Sequence, residues 1–255
     1  PPVEPAPQSA EDFSLPVEIS IDDLSLPDIR LGEKLAGRTF ALAARGRGNA
    51  TSNAISLSLT ANRKDDAKAL VVADIAFAPN DNILKLDASL NEPQGGLLAN
   101  LLRLPGAPAV ALNLRGEGAL SDWTGKLNGA VADTQVLDVT GRHQLAADGT
   151  RRLELHGGGQ PDMLLPPFTR QLFTGQTKLD LAATISPEGR IGVESGTLET
   201  GKLLLTASGA IDPQGQNDLS ANLIGTDGPI NLRLPLEGGE LNTLIDGMDL
   251  SLRGG

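Results

Sequence analysis

Apolar residues recur at every second position in one short run after another along this chain, and that period is what most narrows its possible folds. Val17, Ile19 and Ile21 begin the series, followed by Phe40, Leu42 and Ala44, then Ile55, Leu57 and Leu59. Leu84, Leu86, Ala88 and Leu90 continue it, as do Val110, Leu112 and Leu114, and Leu153 with Leu155. Leu179, Leu181, Ala183 and Ile185 follow, then Ile191 and Val193, Leu203 and Leu205, and Leu219, Ala221 and Leu223. Ile230, Leu232, Leu234 and Leu236 and finally Leu250 and Leu252 complete it. A period of two places such residues on one face of a strand, where a helix would need a period near 3.6. Turn signals separate the runs: Pro79-Asn80-Asp81-Asn82, Asn128-Gly129, Asp148-Gly149, Pro187-Glu188-Gly189, Asp212-Pro213-Gln214-Gly215 and Asp227-Gly228. The expected fold is all-β, a meander of antiparallel strands.

A looser repeat has an alternating strand running into glycine: Leu112 to Gly116, Leu153 to Gly157, Leu205 to Gly209 and Leu250 to Gly254. Glycine within or just after a strand marks a bend or bulge. With thirty glycines in 255 residues, the sheet is expected to curve. Residues 1–12 are Pro-rich and acidic and read as a lead-in or linker. Residues 13–255 read as one repetitive β segment, a fragment of a longer chain.

Two stretches break the period. Between Gly95 and Leu104, Leu97/Leu98 and Leu101/Leu102 lie four apart, a helical spacing that ends at Pro105-Gly106. Between Asp162 and Thr174, Met163, Leu164, Leu165, Phe168, Leu172 and Phe173 are divided by Pro166-Pro167, so only the second half could form a regular helix. These short helices could cap or plug the sheet. The preferred alternative is that they are ordinary connections carrying a buried stripe.

The hydrophobic 40% of the chain is almost entirely Leu, Ala, Val and Ile, with five Phe, one Trp and no Tyr. That composition suits a smooth aliphatic interior and lacks the aromatic anchors of recognition hot spots. A net charge of −11 argues against a nucleic-acid partner, which needs cationic groups to displace counterions, and against a polybasic grip on anionic lipid. Without cysteine there is no disulfide, thiolate catalysis or thiolate metal site. No stretch approaches the roughly 20 apolar residues of a membrane-spanning helix.

The residue types that carry chemistry are poorly placed for it. His143 and His156 do not share a zinc-ligand spacing, and His156, adjacent to Leu155, falls on the polar side of its strand. Gly157-Gly158-Gly159 and Gly46-Arg47-Gly48-Asn49 lack the Gly-Lys-Ser/Thr and the helix of a phosphate loop. Asp22-Asp23 and Asp65-Asp66 do not follow a calcium-loop pattern. Serine lacks the Gly-x-Ser-x-Gly elbow. Trp123, flanked by glycines, reads as a packing anchor at a turn. No catalytic residue, metal ligand or cofactor site is assigned.

A wide apolar face must be covered, because exposed patches beyond a few hundred Å² are rare on monomers. The sheet could seal itself as a closed sandwich or barrel, or curl into a long open groove. A groove would suit acyl chains: at about 0.8 kcal/mol per methylene, a 16-carbon chain needs about 12 kcal/mol of shelter. The candidate lining is Ile55, Leu57, Leu59, Leu84, Leu86, Val110, Leu112, Leu114, Leu179, Leu181, Ile230, Leu232 and Leu234. From periodicity alone, sealed core and open lining are equally supported.

Leu15-Pro16-Val17-Glu18-Ile19-Ser20-Ile21-Asp22-Asp23-Leu24, continuing through Leu31-Gly32-Glu33-Lys34-Leu35-Ala36-Gly37, resembles the TamB family of translocation and assembly module proteins. So does Leu114-Arg115-Gly116-Glu117-Gly118-Ala119-Leu120-Ser121-Asp122-Trp123-Thr124-Gly125. The likeness of repeat style extends over most of the chain and places it among AsmA-like proteins. It implies a β-taco lined by aliphatic side chains, in a periplasmic protein held at the inner membrane by a segment outside this chain. It also implies phospholipid acyl chains as cargo, a TamA-like outer-membrane partner met through other parts of the protein, and a part in outer-membrane protein assembly. The leading expectation is therefore a non-enzymatic path for phospholipid, with a scaffold for outer-membrane β-strands as the alternative. An adhesin-like repeat ranks third, since it should show exposed aromatics or calcium loops.

Overall fold

The computed structural model describes residues 15–66, 69–165, 167–236 and 239–254. The lead-in expected at 1–12 lies outside them. The chain is almost all strand: β1 (Ile19–Leu31), β2 (Phe40–Ala50), β3 (Ile55–Arg63), β4 (Leu70–Ala78) and β5 (Ile83–Glu92) come first. β6 (Val110–Ala119), β7 (Asp122–Val131), β8 (Thr134–Leu145), β9 (Arg151–Gly159) and β10 (Thr177–Ile185) follow. β11 (Ile191–Glu199), β12 (Leu203–Ile211), β13 (Asn217–Gly225), β14 (Ile230–Leu236), β15 (Gly239–Ile245) and β16 (Gly247–Gly254) complete the order. Helical structure is slight: α1 (Glu33–Ala36), α2 (Leu97–Leu101), a 3-10 turn at Pro161–Leu164 and α3 (Pro167–Arg170).

Fourteen strands form one antiparallel sheet in the order β1 through β13 and then β16, each hydrogen-bonded to its predecessor. β1 and β16 are its two edges, so the sheet is open. The meander read from the turn signals is therefore what forms, as a single sheet instead of two facing ones. β14 and β15 pair only with each other and form a hairpin inserted between β13 and β16.

Some turns differ from those the dipeptides predict. Asn128-Gly129, a good hairpin dipeptide, lies inside β7, where Gly129 pairs with both Leu112 and Leu137. The hairpin is instead turned by Ala132 and Asp133, both at positive φ (47° and 63°), as a two-residue turn with the right twist requires. The helical reading of 162–174 also changes. Its first half is a 3-10 turn ending at Leu164, and its second half gives a single helical turn, 167–170.

Gly157 and Gly158 sit within β9 and permit close approach. A Cβ on Gly157 would run into the carbonyl of Asp138, and one on Gly158 into that of Thr177, which are backbone atoms of the two flanking strands. No larger residue fits here without separating β8, β9 and β10.

Connections differ sharply between the two ends of the sheet. At one end the strands are joined by two- to five-residue turns, as at 120–121 and 146–150. At the other lie every helix, the 93–109 and 160–176 connections, and the β14–β15 hairpin. Most of the well-buried apolar residues are at that second end: Phe40, Ala69, Ala99, Leu104, Val110, Val131, Val136, Leu203 and Ile230.

Candidate functional site

Register carries the alternation of individual strands across the whole sheet. Residues directly opposite in an antiparallel pair share a face, so cross-strand partners can be followed from one edge to the other. One such row reads Ile21, Gly48, Leu57, Ile75, Leu86, Gly116, Gly125, Gly141, Leu155, Leu181, Gly196, Ala207, Ala221 and Leu250. It contains no polar side chain. The next row, from Leu24 through Leu59, Ala88, Leu114, Val139, Leu179 and Leu205 to Met248, is equally apolar. A third, from Ile19 through Ile55, Leu84, Trp123, Leu153 and Leu219 to Leu252, admits one ionisable group, His143. At about 4.8 Å per strand, this face runs about 60 Å along the path of the sheet.

The opposite face reverses the pattern. One row from β2 to β16 reads Arg47, Ser58, Asp74, Asp87, Arg115, Lys126, Thr140, His156, Asp180, Thr197, Thr206, Asn222 and Asp249, polar throughout. Its charges pair across strands, as in Lys85–Glu117 at 3.3 Å, Arg115–Asp87 at 3.1 Å, Lys126–Asp138 at 3.1 Å and Lys178–Glu199 at 3.3 Å. His156 lies here as read from the sequence, its Nδ1 2.8 Å from Asp180. Arg142 donates two 2.7 Å hydrogen bonds to Asp122, which hold the Asp122 carboxyl below its ordinary range. Such exposed pairs add little stability each. Together they keep this face wetted.

The apolar face is only partly covered. Leu57 is 40% exposed, and Ile21 and Leu250 on the two edge strands are 45% and 55% exposed, while Ile75, Leu86, Leu155 and Leu181 between them are half-buried; among the described residues only Phe40 and Val131 are large side chains that are fully buried.

Ten of the thirteen lining candidates share this face: Ile55, Leu57, Leu59, Leu84, Leu86, Val110, Leu112, Leu114, Leu179 and Leu181. The other three belong to β14. Ile230 is buried in that separate hairpin, and the side chains of Leu232 and Leu234 lie outside those described. Alternation gives a strand its two faces but not its neighbours, so these three were placed in the large sheet on a pattern that a side hairpin satisfies equally well.

Both ends of the face are defined. At the loop end, Ala99 and Leu104 of the 93–109 connection pack with Val110, Val131 and Val136, and Met163 and Leu164 of the 3-10 turn join them. Glu92 anchors α2, its carboxylate accepting the backbone N–H groups of Leu97 (3.0 Å) and Leu98 (2.7 Å). Arg63, nearly buried, donates to Asp65 at 2.9 and 2.6 Å and lies over the Phe40 ring, on which Arg38 also stacks. The Arg63 guanidinium holds the Asp65 carboxyl below its usual range. At the turn end the last apolar residues are exposed: Leu145 41%, Ile185 41%, Ile191 42% and Ile211 39%.

Two residues in the middle of the face were not assigned to it from sequence. The Trp123 indole lies over Gly116 and Gly125, where any Cβ would collide with the ring, and its Nε1–H donates to the Leu84 carbonyl at 3.1 Å. It is a packing anchor, set within the sheet and not only at a turn. His143 pairs with Trp123 and Leu153 on the apolar side, its Nε2 buried without a hydrogen-bond partner. Gly46 to Asn49 and Gly157 to Gly159 are strand residues.

The fold and face define a class: an open, two-faced antiparallel sheet with one end of its apolar side closed. No helix among the described residues is long and apolar enough to cross a membrane. Comparison with protein-family models, curated proteins and solved structures gives no match to this chain.

Proposed function

We propose that this chain is a segment of a TamB-like, AsmA-like protein of the bacterial periplasm. Its sheet curls along its length into an open β-taco, and its apolar face carries phospholipid acyl chains between the inner and outer membranes in support of outer-membrane protein assembly. The observation that supports this reading most is the unbroken apolar row from Ile21 to Leu250, on a face whose large side chains are only partly covered. A sealed core would bury those side chains, whereas a lining has to leave them within reach of a ligand. The residues do no bond chemistry in this role and use no cofactor. Attachment to the inner membrane and contact with a TamA-like partner belong to other segments.

Trp123 supplies the test, because it is the only Trp and lies on the apolar face. Phospholipid brominated along its acyl chains should quench Trp123 emission. Photo-crosslinkers at Leu57 and Leu112 should capture lipid in the envelope, and Leu57→Asp should reduce that capture. Absence of both quenching and lipid adducts would refute the reading.

One feature favours a second reading, a scaffold for outer-membrane β-strands. β1 is a protected edge, with Pro27 and two register irregularities. β16 pairs regularly with β13 and has neither proline nor bulge, so it could accept an added strand. Polypeptide adducts from crosslinkers on β16, with none from lipid on the face, would select this reading.

A further inference from the structure

We propose that the cavity beneath α2 is a terminal pocket for a single acyl chain, taking its methyl end and fixing the chain's direction on the face. The proposal rests on the acyl-chain reading above. The cavity holds about 140 Å³. Its floor is Leu42, Ala61, Val71 and Leu90, and its roof is Leu97 and Leu98 of α2. Ala61, Val71 and Leu90 are successive cross-strand partners, so the floor is the last stretch of the apolar face before the cap.

The polar groups at the cavity determine what can enter. Three polar side chains border it, Asn62, Arg63 and Glu92. Each is engaged by protein: Asn62 Nδ2 donates to the Arg63 carbonyl at 3.2 Å, Arg63 is bound to Asp65, and Glu92 accepts the two α2 amides. With Arg63 and Glu92 already engaged, a headgroup would be stripped of water for little return. The floor and roof between these groups are aliphatic, and apolar surface of that kind favours an apolar occupant over water. The volume suits the last few carbons of one chain, and the cost of stripping water from a phosphate ester disfavours a headgroup there.

The approach to the pocket is also set. Next to Val71 and Leu90 along their strands comes the pair Ala73 and Ala88, then Ile75 and Leu86. The small alanine side chains lower the floor between two bulkier pairs, leaving a dip in the face one step from the cavity. A chain whose methyl end lies in the pocket and which follows β4 and β5 away from the cap carries its headgroup toward the turn end, where Leu145, Ile185, Ile191 and Ile211 are exposed.

The test uses two phosphatidylcholines, one with a diazirine at the chain terminus and one with it next to the ester, crosslinked to the whole chain and mapped by mass spectrometry. The terminal probe should label the peptides containing Ala61, Val71, Leu97 and Leu98, and the ester-proximal probe should label the face nearer Leu57 and Leu86. Ala61→Phe fills the cavity. It should remove terminal labelling there while labelling at Leu57 and Leu86 persists, and affinity should fall about fourfold for each methylene displaced. If both probes label the face alike and leave the pocket unlabelled, the pocket assignment is wrong and the lining survives. If neither labels the chain at all, the acyl-chain reading falls and the pocket with it. The comparison of the two probes on the unaltered chain decides the matter even if Ala61→Phe fails to fold.

Discussion

The two ends of the sheet are made of the same strands but have opposite fates. At the loop end, Val110, Val131 and Val136 are 5%, 1% and 3% exposed beneath the 93–109 connection and the 3-10 turn. At the turn end, Ile185, Ile191 and Ile211 sit at equivalent alternating positions and are each about two-fifths exposed. An alternating strand can bury only as much as its neighbours on the sheet allow. Full burial needs a second layer, and here that layer comes only from connections long enough to fold back. Tight hairpins at the turn end leave no chain to do it.

The largest expected effect sets these ends against each other. Val131→Asp should cost more than about 4 kcal/mol, because it buries an unpaired charge in the cap core. Leu252→Asp, on an edge strand and 49% exposed, should cost under about 1 kcal/mol. Urea unfolding of the two variants measures both, and equal losses would mean that the turn end is closed as well.

The cap depends on a buried cation. Asp65→Ala should cost about 1–3 kcal/mol by leaving the Arg63 guanidinium without its main acceptor. Acid should act the same way. The folded-state pKa of Asp65 lies below the ordinary value of 3.8, so the pair's contribution is complete above that value and is lost as pH falls through the lower, folded one. Protonating Asp65 strands a buried guanidinium, whereas protonating Asp122 at the turn end leaves Arg142 in water. Amide exchange should therefore rise around residues 63–66 on acidification, before it rises around 120–124.

Gly125→Ala addresses the middle of the face. Its Cβ would take space now filled by the Trp123 ring, so the indole must move outward, at a cost of about 1–3 kcal/mol and with a red shift in the emission of the only Trp. An unshifted spectrum would show that the indole does not rest on this glycine pair. The smallest effect belongs to the wetted face. Lys85→Ala removes an exposed pair and should change stability by no more than about 1 kcal/mol, and a larger loss would contradict the view of that face as independently solvated.

Much of the sheet is legible residue by residue. Leu84, Leu86, Ala88 and Leu90 alternate, and all four face one way; Pro79 to Asn82 and Asp148-Gly149 mark true turns. Other signals misled because local chemistry does not specify partners. Asn128-Gly129 has the composition of a turn, yet Gly129 is needed in the ladder between Leu112 and Leu137. Ile230, Leu232 and Leu234 alternate like the rest, yet β14 leaves the sheet. His143 sits on the same side as Trp123 and Leu153, but only the β7–β8–β9 register reveals that company.

What the sequence determines by itself is that each strand has an apolar and a polar face, because side-chain direction along an extended backbone is fixed by parity alone. Only the tertiary structure decides that fourteen such strands bring their apolar faces together on one side of a single open sheet, that one end of that side is roofed, and that a cavity of about 140 Å³ lies beneath the roof. Those outcomes depend on register, on the close approach permitted at Gly157 and Gly158, and on how far the longer connections reach back. All three relate residues distant in the chain, and none is encoded in a period of two.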